Sequence, residues 1–307
     1  MKIRIGTRGS KLALWQANHV QDLLRANGAD TEIVTIETKG DKVLDVSIAK
    51  IGSKGVFTEE IEEQLKDGRI DIAVHSAKDM QSTLASGFEL IAFGKREKSH
   101  DVLVSHQSID LEQEGLVLGT SSTRRLAFLK RHYPNVQTVP VRGNLQTRIR
   151  KMKEGACDAL WLAYAGAHRM AFDEMIVHEF DPTIFVPAVG QGSIAIEVYE
   201  SIDPEKKALV RNCINHELSE KCLIAERSFL KTMDGGCSIP VFGLATIEND
   251  VLTLYGGIIS LDGKTSVEKS CCSTTNAAKK VGETLGRYVL ENGGQKILED
   301  IRKHQEN

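Results

Sequence analysis

Short β-branched apolar runs alternate with segments of helical periodicity over most of the chain, and this alternation limits the possible folds more than any other feature. Residues 3–5, 31–37 and 70–75 predict strands, and segments that begin near Ser10 and Thr58 predict helices between them. Strands that alternate with helices are typical of parallel sheets with crossover helices. The sequence therefore predicts an α/β fold.

The length of 307 residues predicts two or three domains, since a domain usually has roughly 100–200 residues. A charged stretch at 95–101 interrupts the alternation, and a new series of strand and helix units begins near Val102. Residues 194–198 predict a strand that could return to the first sheet. We expect a first domain at 1–95 with a return segment at 192–212, a second at 96–191 and a third at 213–307.

The last hundred residues or so have a different pattern. A predicted helix at 217–233 ends in Asp234-Gly235-Gly236-Cys237, and residues 240–247, 251–260 and 265–272 predict antiparallel strands. Asn249-Asp250 and Asp262-Gly263 are typical hairpin turns between such strands. Two helices follow, so this region predicts an α+β domain with a three-stranded antiparallel sheet.

Composition excludes several classes of protein. The formal net charge is -3, which excludes a globally basic nucleic-acid coat, and no apolar run approaches the roughly 20 residues of a membrane helix. The first residues are too polar for a signal peptide, so a cytoplasmic protein is expected. Six cysteines show no C-x-x-C spacing, and His75 and His100 lack spaced partners, so neither a disulfide scaffold nor a metal site is predicted.

Basic residues concentrate in one stretch, which contains no Asp or Glu. Its nine cations are Arg124, Arg125, Lys130, Arg131, Arg142, Arg148, Arg150, Lys151 and Lys153. Several follow predicted strands at helix starts, where free N–H groups and guanidinium groups both favour anions. Arg8, Ser10 and Lys11 repeat this arrangement near the beginning of the chain. A solvated basic helix face is the alternative, and nucleic-acid binding is disfavoured because stacking aromatics are scarce there. A small ligand with several carboxylates fits better.

Two further residues have unusual surroundings. Asp79 follows a predicted buried strand, where open α/β sheets place their ligands, and a carboxylate among cations suits the stabilisation of a positive charge. An ordinary turn aspartate is the alternative interpretation. Cys237 lies after two glycines on a flexible loop, although a partly buried inert thiol would have the same sequence context.

These residues belong to motifs that resemble the porphobilinogen deaminase family, also called the hydroxymethylbilane synthases. The matches run in order over nearly the whole chain: TRGSKLALWQ at 7–16, TKGD at 38–41, GSKGVF at 52–57, VHSAKD at 74–79, GTSSTRR at 119–125, VRGN at 141–144, PAVGQG at 187–192 and GGC at 235–237.

The resemblance implies two α/β domains similar to periplasmic anion-binding proteins, flanking a cleft, and a C-terminal domain that carries the cysteine loop. It implies a dipyrromethane cofactor, built by the enzyme from its own substrate and bound to Cys237 through a thioether. It further implies that four porphobilinogen molecules are joined head to tail with loss of ammonia, and that water releases hydroxymethylbilane. A monomer with no nucleic-acid or membrane partner is the family expectation.

The resemblance also implies the site residues. Asp79 would be catalytic, hydrogen-bonding pyrrole N–H groups and offsetting the cationic charge that develops as ammonia leaves. Besides Cys237, the cofactor would be held by Lys54, Ser76, Lys78, Thr120, Ser121, Ser122, Arg124, Arg125, Arg142 and Gly143. The substrate would be bound by Arg8, Ser10, Arg142, Arg148, Arg169 and Gln191.

Some positions depart from the family pattern. Gln81 replaces a usual proline, His100 a usual arginine, and Ser238 a usual glutamine. The change at His100 removes one possible carboxylate contact. A non-catalytic cytoplasmic binding module for a small polycarboxylate is the alternative function, but it leaves the Gly-Gly-Cys motif unexplained.

Overall fold

The computed structural model describes residues 1–39, 58–236 and 238–306. They form two compact units. Unit 1 comprises Met1–Glu97 and Gly192–Glu220, and unit 2 comprises Lys98–Gln191 and Lys221–Asn307. The division into three domains stays a prediction.

A five-stranded sheet forms the centre of unit 1. Its strands are β1 (Lys2–Arg8), β2 (Asp30–Ile36), β3 (Ile72–Ser76), β4 (Phe88–Phe93) and β10 (Ile194–Tyr199). Their order is β2-β1-β3-β10-β4. The predicted return of the later segment to this sheet is confirmed, but β10 runs antiparallel to both β3 and β4. The predicted α/β class is confirmed, and the returning segment adds one antiparallel strand to an otherwise parallel sheet.

Helices cover the sheet of unit 1. They are α1 (Lys11–Ala26), α2 (Glu59–Lys66) and α6 (Pro204–Ile214). In α1 the residues Ala17, Val20 and Leu24 repeat at helical spacing and are buried against Ile3 and Ile5 of the sheet. Each fully buried aliphatic side chain of this kind contributes about 1.5–3 kcal/mol relative to an exposed one.

Unit 2 contains a second five-stranded sheet. Its strands are β5 (Asp101–Val104), β6 (Val117–Gly119), β7 (Gln137–Val139), β8 (Ala159–Ala163) and β9 (Ile176–Glu179). Their order is β7-β6-β8-β5-β9, and β5 runs antiparallel to both of its neighbours. The helices that follow β6, β7 and β8 are α3 (Thr123–His132), α4 (Leu145–Lys153) and α5 (Tyr164–Arg169).

The predicted three-stranded antiparallel sheet is present in unit 2. It consists of β11 (Val241–Glu248), β12 (Val251–Ile259) and β13 (Ser266–Thr274). Asn249 and Asp250 have φ angles of 48° and 60°, as a two-residue hairpin turn requires. The neighbouring helices are α7 (Glu217–Thr232), α8 (Ala278–Val289) and α9 (Gln295–Glu306).

The core of unit 2 is rich in aromatic residues. Phe242 of β11 packs against Phe128 of α3 with ring centroids 5.1 Å apart, and Trp161 of β8 stacks on Phe180 at 4.1 Å. These rings belong to one buried cluster that also includes Ile259. None of the described helices is long and apolar enough to cross a membrane.

Candidate active site

In unit 1 the first candidate residues lie where β1 ends and α1 begins. Ser10 has an extended backbone, and its side chain accepts a hydrogen bond from the Ala13 N–H at 3.3 Å, which makes it the helix cap. Arg8, at the end of β1, is partly buried. The strand therefore delivers a guanidinium group to the positive end of a helix, as anion binding requires.

The second group lies at the carboxyl end of β3. Ser76 ends this strand, and Ala77–Asp79 form a single 3-10 turn. The Ser76 hydroxyl is held by Gln16 of α1, whose Nε2 donates to Ser76 Oγ at 2.9 Å. Asp79 is exposed, and no described residue forms a hydrogen bond or an ion pair with its carboxylate.

These groups line one pocket in unit 1, with a volume of about 90 Å³. Its polar lining comprises Arg8, Ser10, Gln16, Thr58, His75, Ser76 and Asp79. The structure thus brings together four of the predicted site residues, namely Arg8, Ser10, Ser76 and Asp79. Lys78, also predicted, is partly buried in the same turn but is not among the lining residues.

His75, one of the lining residues, forms a buried pair with Glu197. His75 Nε2 is 3.1 Å from Glu197 Oε2, and the side chains are only 7% and 0% exposed. Burial raises the pKa of nearby Glu62; a hydrogen bond with Thr58 opposes the rise and the charge of Glu197 adds to it. Glu197 is fully buried and Glu62 is half-buried, and neither lines the pocket, so Asp79 is the lining carboxylate among the described residues.

In unit 2 the first candidate residues follow β6. Thr120 is buried and its N–H donates to the Val139 carbonyl oxygen at 3.0 Å, which joins the loop to the end of β7. Ser121 is exposed, and Ser122 caps α3 by accepting from the Arg125 N–H. This junction repeats the arrangement of Ser10 and α1, so a second helix start faces the carboxyl end of a sheet.

Arg124 and Arg125, the next two predicted residues, are buried around a carboxylate. Arg124 Nη2 donates to Asp101 Oδ2 at 2.6 Å, and Arg125 donates through Nη2 to Oδ1 at 2.7 Å and through Nε to Oδ2 at 3.2 Å. The exposed fractions are 4% for Arg124, 7% for Arg125 and 0% for Asp101. One carboxylate therefore neutralises one of two buried guanidinium charges.

Arg124 and Arg125 keep the Asp101 carboxylate ionised. Burial alone would raise the pKa of Asp101, but the charges of Arg124 and Arg125 and their hydrogen bonds hold it well below its usual range. Gln191, predicted to bind substrate, also points into this cluster. Its Nε2 donates to Asp101 Oδ1 at 2.9 Å and to the Ser99 carbonyl oxygen at 2.6 Å, and the residue is 0% exposed. Its contact with substrate stays a prediction.

The remaining cations of unit 2 lie at two other helix ends. Arg142 and Arg148 flank the start of α4, where Arg148 Nε donates to the Gly143 carbonyl oxygen at 2.8 Å. Gly143 has a φ of 112°, and a Cβ atom there would lie 2.7 Å from a Thr147 methyl group, so this turn requires glycine. Arg169 ends α5 and is partly buried.

Two predicted residues, Lys54 and Cys237, lie outside the described residues. Sequence reasoning missed Asp101, Gln16 and Glu197 as parts of the site. A signal was available for Glu197, which is the one acid in the apolar run IAIEVY, and for Asp101, which directly precedes the apolar residues of β5. Among residues 1–39, 58–236 and 238–306, no group of three or more His, Cys, Asp or Glu side chains could hold a metal ion.

The donor set of unit 2 fits a ligand with carboxylates. Arg124 Nε is buried and finds no acceptor within the described part of the chain, while Arg124 Nη1 donates to the Val186 carbonyl oxygen at 2.8 Å. A buried N–H without an acceptor is costly, and a carboxylate oxygen is its strongest partner. The capped start of α3 supplies further N–H donors next to it.

Comparisons with known proteins agree with the residue patterns. The family model "Porphobilinogen deaminase, dipyromethane cofactor binding domain" matches residues 3–207, and "Porphobilinogen deaminase, C-terminal domain" matches residues 220–291. The porphobilinogen deaminase of Desulfosudis oleivorans is 56% identical over 99% of both chains. That of Cytophaga hutchinsonii is 52% identical over 98% of this chain and 97% of the relative.

The solved structures that the comparison found are much more distant in sequence. The periplasmic VFT2 domain of Bordetella pertussis BvgS is 16% identical, covers 69% of this chain and 86% of its own, and has a TM-score of 0.42. The methionine binding protein MetQ is 14% identical, covers 68% and 88%, and has a TM-score of 0.43.

Proposed function

The chain belongs to the porphobilinogen deaminase family. From this membership we propose which of its residues bind the cofactor, bind the substrate and catalyse the reaction. It is an enzyme of the transferase class in tetrapyrrole biosynthesis, with a domain that binds a dipyrromethane cofactor. The reaction joins four porphobilinogen units head to tail with loss of ammonia, and water then releases hydroxymethylbilane. The protein acts in the cytoplasm as a monomer.

The cofactor is attached to Cys237 through a thioether. When bound, it supplies the pyrrole carbon to which the first substrate unit is added. Unit 2 holds its acetate and propionate groups through Thr120, Ser121, Ser122, Arg124, Arg125, Arg142 and Gly143. Ser76 and Lys78 would also bind the cofactor, and Lys54 would contribute a further cation. The buried Arg124 Nε and the capped start of α3 support this assignment.

Asp79 is the catalytic residue. A substrate that loses ammonia becomes a cation, and a fixed carboxylate beside it lowers the energy of that charge in the transition state. Since neither an ion pair nor a hydrogen bond from a described residue engages its carboxylate, Asp79 is available for this purpose. It also accepts hydrogen bonds from pyrrole N–H groups.

Porphobilinogen itself is bound by Arg8 and Ser10, with Arg142, Arg148, Arg169 and Gln191 as further contacts for the growing chain. Each pyrrole unit brings an acetate and a propionate, so these positions must supply cations and N–H donors. The observation that carries the proposal is the pocket in unit 1, which combines the Arg8 guanidinium and the Ser10 helix cap with the Asp79 carboxylate.

Intact-protein mass spectrometry after expression in cells that make porphobilinogen tests this function. We expect wild-type protein to be heavier by two linked pyrrole units, and Cys237→Ser protein to show no added mass. Cys272→Ser is the matched control, since Cys272 is an exposed thiol on β13, and this protein should carry the same addition as wild type. Wild-type protein that stays unmodified and inactive after incubation with porphobilinogen would favour a non-catalytic polycarboxylate-binding module instead.

A further inference from the structure

A continuous buried network in unit 2 links helix α7 to the two arginines of α3. Glu226 of α7 is 0% exposed, and its Oε2 accepts the Gly190 N–H at 2.8 Å. Gln191, the next residue, donates to Asp101, and Asp101 binds Arg124 and Arg125. The loop that ends in Gln191 is therefore fixed at its backbone by one helix and at its side chain by the arginine cluster.

The nitrogen atoms of the two guanidinium groups are used differently. In Arg125, Nε and Nη2 both donate to Asp101, and Nη1 donates to the Trp161 carbonyl oxygen at 2.7 Å. In Arg124, Nη1 and Nη2 have acceptors in Val186 and Asp101, but Nε has none among the described residues. The planar guanidinium group has a fixed geometry, so anchoring two of its nitrogens fixes the direction of the third.

We propose that Asp101 and Gln191 are positioning residues, which hold Arg125 as an internal brace and orient Arg124 so that its Nε–H binds one carboxylate of the cofactor. This inference rests on the proposed function of unit 2 in holding the cofactor. It narrows two of the roles proposed above, because Arg125 and Gln191 then act through Arg124 and do not touch the cofactor or the substrate themselves. Two guanidinium charges and one carboxylate leave the buried cluster with one net positive charge. A single ligand carboxylate matches both that charge and Arg124 Nε, the one nitrogen of these two guanidinium groups that lacks an acceptor among the described residues.

Nuclear magnetic resonance of arginine Nε–H groups tests the different roles of Arg124 and Arg125 directly on the folded protein. The signals are assigned with Arg124→Lys and Arg125→Lys, and wild-type protein carrying the cofactor is compared with Cys237→Ser protein, which cannot attach it. We expect the Arg124 Nε–H signal to move when the cofactor is present, because a new acceptor forms. The Arg125 Nε–H signal should stay near its position and exchange slowly with solvent in both forms. A shift confined to Arg125, equal shifts of both signals, or no shift of either would overturn the proposal.

Two substitutions of similar size test Gln191. Gln191→Met removes the hydrogen bond to Asp101 without changing the charge, and we expect cofactor loading to be slowed about tenfold if roughly 1.4 kcal/mol of positioning is lost. Loading is measured as the rate at which unloaded protein gains the added mass during incubation with porphobilinogen. Thermal unfolding of each variant shows that it is folded.

Gln191→Glu gives a pH readout that a merely structural role would not produce. A protonated carboxyl group at this position can donate to Asp101 as the amide does. An ionised one cannot donate, and it neutralises the net positive charge of the cluster that would otherwise attract the ligand carboxylate. The charged groups around this position are Asp101, Arg124 and Arg125, with His100 and Glu226 beside the adjoining backbone. We therefore expect this variant to load more slowly than wild type at neutral pH and to regain loading as the pH is lowered toward the range in which a carboxyl group takes up a proton. A wild-type pH profile in Gln191→Glu, or wild-type loading in Gln191→Met, would contradict the proposal.

Wild-type protein provides the reference that separates the two hypotheses. If it gains no mass, the proposed function fails. If it loads and the Gln191 variants load equally well at every pH, the positioning role fails while the function stands.

Discussion

The two five-stranded sheets have equivalent strand orders, but their buried acidic residues lie at different positions. In each sheet four strands are parallel, and one strand, β10 in unit 1 and β5 in unit 2, runs against them. The reversed strand carries a buried acid in both cases. Glu197 of β10 pairs in register with Ala73, near the start of β3, whereas Asp101 of β5 pairs with Ala163, at the carboxyl end of β8.

This shift along the strand changes what each acid can do. Ligands of open α/β sheets bind at the carboxyl ends of the parallel strands. Asp101 lies at that end and neutralises one arginine charge there, while Glu197 lies deeper and contacts His75 instead. Unit 1 keeps a different carboxylate, Asp79, exposed in the turn after β3. The same topology thus gives one unit a buried cluster with one net positive charge and the other a pocket lined by an exposed carboxylate.

The largest expected effect is on stability, when the acid of unit 2 is removed. Asp101→Asn leaves two buried guanidinium groups without a counter-charge, and we expect a loss of about 3–5 kcal/mol in the free energy of unfolding. Asp71→Asn is the matched control in unit 1. Asp71 also binds two cations, Arg4 and Lys206, but those are 35% and 20% exposed and can be solvated by water. Urea unfolding of both variants measures the difference, and equal losses would show that burial of the unit 2 cluster has no special cost.

Much of the fold could be predicted from the sequence, because local periodicity determined it. The helix that begins near Ser10, the hairpin turn at Asn249-Asp250 and the return of β10 to the first sheet are confirmed. The reversed direction of β5 and β10 was not predictable, since the apolar pattern of a strand is the same in both directions. Short strands such as β9, with only partly buried residues, gave too weak a pattern.

The candidate site was less predictable, because charge counts along the chain do not show three-dimensional partners. The stretch from Arg124 to Lys153 has no acid, yet the acid that binds its first two arginines lies 23 and 24 residues before them. Sequence reasoning therefore treated Arg124 and Arg125 as equivalent ligand groups. The pocket around Asp79 was easier to predict, since all its predicted members lie at or just after the carboxyl ends of β1 and β3.

The second prediction concerns the exposed carboxylate of Asp79 in unit 1. Asp79→Asn keeps the shape of the side chain but removes its charge, and we expect turnover to fall by about 10²–10³. Because Asp79 is exposed and no described residue depends on it, cofactor loading and thermal stability should stay close to wild type. Asp67→Asn, at an exposed acid paired with Arg69 on the surface, is the control and should keep full turnover. Turnover of Asp79→Asn within a few-fold of wild type would remove the electrostatic role.

The third prediction concerns how the stabilisation from Asp101 and Asp71 depends on pH. The folded-state pKa values of both are lowered, so the folded protein binds fewer protons at these positions than the unfolded chain does. Their stabilisation is therefore complete above about pH 5 and is lost as the pH falls below about 4 toward the folded-state pKa. We expect the stability gap between wild type and Asp101→Asn to be constant from neutral pH to about 5 and to narrow in stronger acid. A gap that widens on acidification would mean that the carboxyl is already protonated in the folded protein.

The smallest expected effects test what the two units share, namely a serine cap at the helix that follows the first parallel strand of each sheet. The Ser10 side chain accepts from the Ala13 N–H at 3.3 Å, and that of Ser122 accepts from the Arg125 N–H at 3.5 Å. Ser10→Ala and Ser122→Ala should each lose about 1 kcal/mol, and the Ser→Gly variants only a few tenths, since glycine leaves the first N–H groups open to water. Thermal unfolding resolves such losses as shifts of roughly 2–4 °C per kcal/mol in a chain of this size. Equal losses at both sites would show that the helix starts are built alike and that the units differ only in where their acids lie. A much larger loss for Ser122→Ala would mean that this cap also holds the buried Arg125 in place, so that the cap and the Asp101 cluster unfold together.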